Sequence, residues 1–389
     1  MIKRDMTKKL KEVASKYSVI AVLGPRQSGK TTLVKDVFKK HKYITFEDLE
    51  VRNFALADPK GFLKSRHNEH GIIFDEIQHV PALLSYIQIY VDENKRPGYF
   101  VLTGSQNFLL NQAISQTLAG RIALFTLLPL SINEMEREKL LTEGVEKSIF
   151  YGCYPRIYDE KLAPVGWYPD YIKTYLERDV RQIKNVTDLT TFQRFIKLCA
   201  GRIGQLVNLT SLGNDCGIST GTARAWLTLL EASYIVFLLQ PHYRNFSKRL
   251  VKSPKIYFYD TGLACSLLGI KSPEQIELHY LRGGLFESYI ISDLMKQFYN
   301  KKIEPPVYFW RDKIGREVDC IIQDGQDLTP VEIKAGKTIT QGYFTGLDYW
   351  NSISKSDPKN SYVIYAGDQV QKRSNGTVIG WKKLPKYFK

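Results

Sequence analysis

The chain has 389 residues, 43% hydrophobic and 24% charged, with a net charge of +15 and a pI near 9.3. That supports an ordinary globular core in two or three domains, and the basic excess fits either binding to a polyanion such as DNA or solubility in a lysine-rich proteome. No run of about 18 apolar residues marks a membrane span, and the first segment, MIKRDMTKKLKEVASKY, lacks the apolar stretch of a secretory signal. The five cysteines are scattered without a CxxC pair, which suggests neither a zinc knuckle nor a disulfide framework and reads most naturally as a reducing cytoplasm.

Residues 19–23, VIAVL, predict a buried parallel strand. GPRQSGKT follows, then TLVKDVFKKH with helical spacing. Strand, glycine-rich loop and helix form the context that makes GxxxxGK[ST] a phosphate-binding loop. Gly24 and Gly29 let the backbone curl so that N–H groups of the loop, with Gln27, Ser28 and Thr32, face phosphate oxygens. Lys30 is expected to reach the β/γ-phosphates of ATP, and the Thr31 hydroxyl to hold Mg²⁺. YITFED at 43–48 supplies a second strand, and IIFDE at 72–76 a third ending in two carboxylates. Asp75 is expected in the Mg²⁺ shell, and Glu76 to polarise the attacking water. Gln78 and His79 follow and are candidates for contact with nucleotide or substrate. GYFVLTGSQ at 98–106 ends in Thr103 and Ser105, where a residue sensing the γ-phosphate would sit.

P-loop, acidic strand and polar strand together resemble the AAA+ class of ATPases. TLAGRIALFTLLPLSINE then resembles AAA+ proteins with a DUF4143 C-terminal region, in which a GR pair precedes an apolar strand and a PLS turn. On that resemblance Arg121 reads as an arginine finger or sensor arginine; as a bare sequence it reads equally as a surface arginine at a strand start. A finger acting in trans would require a homo-oligomer or a protein partner.

Residues 150–182 are rich in tyrosine and arginine, with helical spacing from Tyr171 to Val180, and are expected to pack in a core or between domains. Beyond them, TFQRFIKLCAGRIGQ, LVNLTSLGNDCG and STGTARAWLTLLEAS read as three helices, followed by the strand YIVFLLQPHYR. That is the order of a winged helix-turn-helix, with HYRNFSKRLVKSPK as a basic wing. Ser219, Thr220, Thr222 and Arg224, early in the third helix, are the candidate DNA contacts. Residues 161–260 carry 14 Lys+Arg against 7 Asp+Glu. Winged helices also serve as structural or protein-docking modules, so that alternative stands.

PKIYFYDTGLACSLLG resembles a DUF4143 block, and its Asp260 is expected to cap the turn or the next helix. Farther on, PVEIKAGKT ends like a second phosphate loop. However, Val331 stands where the first glycine is needed, and the stretch lies within a strand, so only one nucleotide site is predicted. EVDCII and PVEIK instead form a plausible hairpin in which Asp319, Glu332 and Lys334 share a face. With Glu287, early in the helix LFESYIISDLMKQF, this set resembles the PD-(D/E)xK nuclease core. The resemblance implies Mg²⁺ on Glu287, Asp319 and Glu332, with Lys334 stabilising developing charge, and Trp310, Arg311 and the Gly315-Arg316 turn near the mouth. A surface hairpin with a cross-strand ion pair, or a nuclease fold without activity, remains the alternative.

From about residue 15 to 370 the blocks GPRQSGKTTL, IIFDEIQ, LTGSQ, LAGR, PKIYFYDTGLA, GGLFESYI and FWRDKIGREVDCII with PVEIKAG resemble an AAA+ ATPase with a DUF4143 region. Asp293, where that family often has glutamate, is expected one face away from the acidic set. The expected fold class is α/β in three parts: a P-loop AAA+ ATPase domain over 1–150, a helical linker and winged helix-turn-helix over 151–255, and a PD-(D/E)xK nuclease-like domain over 256–389. Three functions fit: an ATP-hydrolysing DNA-binding protein, an ATP-controlled switch on a protein partner, and an ATP-gated Mg²⁺-dependent nuclease.

Overall fold

Strand β1 (Val19–Gly24) is buried along its whole length, as a continuous apolar run requires. In the computed structural model, which describes residues 1–105, 114, 116–176, 188–243 and 250–388, it lies inside a five-stranded parallel sheet. Its companions are β2 (Lys42–Thr45), β3 (Ile72–Asp75), β4 (Phe100–Ser105) and β5 (Ile122–Thr126), in the order β2-β3-β4-β1-β5. Alternation assigns each side chain to a face. Val19, Ala21, Leu23, Phe74 and Phe100 join one buried cluster. Ile20, Val22, Ile73, Val101 and Phe125 join the other. Helices α1 (Thr7–Ala14) and α2 (Lys30–Val37) pack into the second cluster, while α3 (Leu49–Ala57), α4 (Pro59–Ser65) and α5 (Leu83–Asn94) contribute to the first. These elements make one compact unit, Met1–Leu130 with Ala232–Tyr234 and Phe298–Ile303.

The remaining residues form a second unit. Helices Leu189–Ala200, Leu209–Cys216 and Thr220–Ala232 precede the antiparallel pair β6 (Val236–Leu239) and β7 (Lys255–Phe258). Of the predicted wing between those strands, 244–249 lie outside the described residues, as do 177–182 of the tyrosine-rich stretch. A helix, Arg282–Asn300, then leads into a six-stranded mixed sheet. Its strands are β8 (Val307–Arg311), β9 (Glu317–Asp324), β10 (Asp327–Lys334), β11 (Tyr362–Tyr365), β12 (Val370–Arg373) and β13 (Gly376–Gly380), in the order β12-β13-β11-β10-β9-β8. The β9–β10 hairpin is antiparallel, with Val331 opposite Cys320, and β10 runs parallel to β11. Helix Thr345–Ser354 joins β10 to β11, as a parallel connection demands. Trp310, Val318, Ile321, Leu347 and Trp350 fill the core beneath it.

All five cysteines are free and buried. No helix among the described residues is long and apolar enough to cross a membrane.

Candidate functional site

The loop after β1 closes at two glycines. Gly24 has φ 152°, and a Cβ there would lie 2.2 Å from the Leu127 carbonyl oxygen, so no other residue fits. Gly29 has φ 93° and starts α2, leaving the first N–H groups of that helix beside the loop. Gln27 also takes a positive φ, 59°. The Lys30 ammonium is buried and donates to the Gly24 and Pro25 carbonyls at 3.1 and 2.8 Å. Arg4, also buried, donates to the Ser28 carbonyl and the Leu128 carbonyl, both at 2.6 Å, and ties the loop to the chain after β5. Nothing in the residue pattern singles out Arg4, whose contact depends on α1 packing beside α2.

At the carboxyl end of β3 the Asp75 carboxylate is buried and accepts from three hydroxyls. Thr31 donates at 3.0 and 3.1 Å, Tyr43 at 2.7 Å, and Thr103 to the other side. Burial, with the Asp75 hydrogen bond and charge, raises the Tyr43 phenol far above its usual range, so it remains a donor. Glu76 turns the chain out of the strand at φ 57°, and Gln78 donates to its carboxylate. The strand register sets Ser105 opposite Gly24, at the loop end of the sheet. Its side chain lies outside the described residues. Thus Gly24, Gln27, Ser28, Gly29, Lys30, Thr31, Thr32, Asp75 and Glu76 come from strand ends, turns and the first turn of α2 at the carboxyl end of one parallel sheet, where α/β folds bind ligands. The residues suit a magnesium nucleotide. The Thr31 hydroxyl and the Asp75 carboxylate already meet, and the buried Ser28 hydroxyl has no partner.

Arg121 departs from its expected role. It precedes β5, whose Ile122 is in register with Val19, the first residue of β1. The loop lies at the other end of β1, roughly 16 Å of strand away. Arg121 instead forms a two-pronged ion pair with Asp92, at 2.5 and 3.0 Å, on the surface. Within its own chain it is not placed to sense the nucleotide.

In the second unit the third helix opens with Ser219, whose hydroxyl accepts the Thr222 N–H at 3.0 Å and meets the Thr222 hydroxyl at 2.9 Å. Capping therefore engages two of the four candidate DNA contacts. Thr220 and Arg224 instead line an open cleft of about 1000 Å³ with Lys252, Thr228 and Glu231. Burial pushes the Glu231 carboxyl up to about 7. The folded state then holds its proton over a pH range where the unfolded chain has lost it, so stability falls as pH rises through 7. Glu231→Gln is expected to be neutral near pH 4 and to stabilise by about 1–2 kcal/mol near pH 8, after discounting for partial exposure. Melting curves at the two pH values check this.

The acidic set of the second unit does assemble. Two glycines let the helix Arg282–Asn300 approach: a Cβ at Gly284 would lie 2.5 Å from the Ile203 carbonyl, and one at Gly204 would crowd Glu287. Asp319 accepts the Ile333 N–H at 2.8 Å and lies 3.7 Å from the Lys334 ammonium. Glu332 pairs with Lys334 at 2.5 Å, and its other oxygen is buried without a partner. Burial pushes the Glu332 carboxyl up to about 8, with Asp319 adding and Lys334 opposing. The close triad, however, is Glu287, Glu317 and Asp319, with ligand oxygens within 4.8 Å of one another. Three residues here, Glu317, Lys255 and Tyr257, were not foreseen, whereas Arg311 was expected near the mouth. Lys255 is buried and bonds Glu287 at 3.0 Å and also Glu317. Tyr257 donates to Glu287. Arg311 pairs with Glu317 at 3.1 Å. The alternation of Lys255 with Tyr257, and of Glu317 with Asp319, was the available signal. Asp293 lies apart, accepting from the Ile132 N–H at 2.6 Å and from Gln297.

An AAA-domain family matches residues 16–136, a domain of unknown function, DUF8612, matches 142–274, and another, DUF4143, matches 282–384. The PKIYFYDTGLA block thus falls in the middle match, not the last. Uncharacterized proteins of Mycobacterium tuberculosis and Mycobacterium bovis are each 30% identical over 340 residues, covering 86% of this chain and 74% of theirs. One from Haemophilus influenzae is 22% identical over 345 residues, 80% of this chain and 81% of its own. Among solved structures, the Walker-type ATPase of Pyrococcus abyssi has a TM-score of 0.47 at 14% identity, covering 69% of this chain and 96% of that one. The Holliday junction branch migration motor of Thermotoga maritima has 0.33 at 17%, covering 61% and 89%. The chain belongs to the family of proteins that join an N-terminal AAA domain to a C-terminal DUF4143 region.

Proposed function

We propose that this protein hydrolyses ATP at the loop spanning Gly24 to Thr32 and couples that reaction to binding duplex or branched DNA. The observation that carries the first half is the meeting of Thr31 with Asp75, beside the loop that turns at Gly24 and Gly29. Magnesium held there by Thr31 and Asp75 would supply charge neutralisation on the phosphates. Lys30 adds a fixed positive charge at the β/γ-phosphates, and Glu76 orients the attacking water. A finger role for Arg121 would require a second copy of the chain.

The DNA half rests on the second unit. Three helices followed by an antiparallel pair support a winged helix-turn-helix within 151–255. Arg224 and Lys252 line the same cleft, in a chain of net charge +15. The order helix, three strands, helix, strand over 282–365 supports a PD-(D/E)xK nuclease-like domain within 256–389. In this reading the AAA domain occupies 1–150, and the protein works in the cytoplasm.

The test is ATP hydrolysis with Mg²⁺, alone and with single-stranded, duplex, forked and four-way DNA, with Lys30→Ala as the blank. The expected result is a rate that Lys30→Ala abolishes and that one DNA form raises. DNA affinity should survive Lys30→Ala and fall steeply with salt. A Lys30-dependent rate indifferent to every DNA would replace DNA with a protein partner.

A further inference from the structure

The close carboxylate triad Glu287, Glu317 and Asp319 already has a cation of the chain's own. Lys255 rises from β7 into the space shared by Glu287 on the long helix and Glu317 on β9. It is 3% exposed and bonds both carboxylates. Tyr257, two residues along the same face of β7, donates to the same Glu287 oxygen. Arg311 covers Glu317 from the neighbouring strand, and Lys334 stands between Glu332 and Asp319.

Four carboxylates therefore face three fixed cations. A divalent ion needs several oxygen ligands with free lone pairs and a surplus of negative charge. Here the Glu287 oxygen in use accepts two hydrogen bonds, the Asp319 Oδ2 accepts one from the Ile333 backbone, and Glu317 is shared by two cations. An ammonium, by contrast, offers three donors to just such a set. Burial alone would depress the Lys255 pKa, but the charges of Glu287, Asp319 and Glu317 more than reverse that, so the lysine remains charged.

We propose that the Lys255 ammonium is the resident cation of the Glu287–Glu317–Asp319 cluster, and that the site consequently takes no divalent metal and performs no metal-dependent strand cleavage. The cluster instead fastens β7 to the long helix and to β9. This inference stands whether or not the protein binds DNA, because it concerns one lysine and three carboxylates.

The full chain, free of nucleotide, is titrated with Mn²⁺, and unbound Mn²⁺ is read by electron paramagnetic resonance. Only binding abolished by Asp319→Asn counts, which separates this cluster from the nucleotide loop. The wild type is expected to show no such site tighter than about 1 mM. Lys255→Met is expected to hold one Mn²⁺ per chain at least ~10-fold more tightly, and to lose it when Asp319→Asn is added. An Asp319-dependent Mn²⁺ site in the wild type would overturn the proposal. So would a folded Lys255→Met protein that holds no Mn²⁺. Should Lys255→Met not fold, wild-type melting decides. A melting temperature unchanged between EDTA and millimolar Mn²⁺ supports the proposal, and a rise that Asp319→Asn removes refutes it.

Discussion

Asp75→Asn is expected to lower magnesium-dependent ATP hydrolysis by about 100-fold or more, while leaving the protein folded. The carboxylate is the meeting point of three strands and a helix. Thr31 begins α2, Tyr43 belongs to β2 and Thr103 to β4, and all three donate to the end of β3. Asparagine keeps the shape but removes the charge, and one of its two polar atoms becomes a donor. At least one of the three hydroxyls then loses its acceptor or must turn. The net loss of stability is about 1–2 kcal/mol, because only part of the network fails. The loss of rate is larger, because the carboxylate that would hold magnesium beside Thr31 is gone. A magnesium titration of the rate, with melting curves of both proteins, checks the prediction. Retention of more than a tenth of the wild-type rate would remove Asp75 from the magnesium shell. Tyr43→Phe, which deletes one donor and leaves the charge, should cost only a few-fold.

Much of this site was legible because its residues are neighbours in sequence. A buried strand, a glycine loop and a helix start follow one another within 19–37, and the acidic strand ends where its apolar run ends. The hairpin face carrying Asp319, Glu332 and Lys334 was legible for the same reason, since a period of two and one turn suffice to pair them. Lys255 was not legible. It meets Glu287 across 32 positions of chain, and only the packing of β7 against a helix and a second sheet brings them together. Arg121 teaches a different lesson. A residue just before a parallel strand enters the sheet at the amino end, whereas nucleotide loops leave at the carboxyl end. Its separation from the loop was implicit in the strand direction, and the family motif concealed it. Ser219 shows a third case, in which a hydroxyl placed for recognition also caps its helix.

Asp260→Ala is expected to cost the second unit about 3–5 kcal/mol, enough to leave much of it unfolded at 37 °C. Asp260 is buried, and its carboxylate accepts from the Cys153 N–H at 2.6 Å, the Tyr168 hydroxyl at 2.6 Å and the Leu263 N–H at 2.9 Å. It thus caps the helix Thr261–Leu267 and also fixes two segments about a hundred residues upstream. Two glycines make that convergence possible. A Cβ on Gly262 would lie 2.3 Å from the Tyr168 hydroxyl, and one on Gly152, at φ 66°, would lie 2.1 Å from it. The DTGLA block is therefore a packing requirement: an acceptor, a helix start and a gap for a phenol. Alanine removes the acceptor and strands two buried backbone donors, each costing about 1–3 kcal/mol unmade, and leaves the Tyr168 hydroxyl only the Tyr151 carbonyl at 3.0 Å. Asp260→Asn keeps one acceptor oxygen and should lose roughly half as much. Urea unfolding of both variants, followed by far-ultraviolet circular dichroism, separates these outcomes. If Asp260→Ala unfolds within 1 kcal/mol of the wild type, the Cys153 and Leu263 N–H groups have other acceptors and the carboxylate is not the tie between these segments.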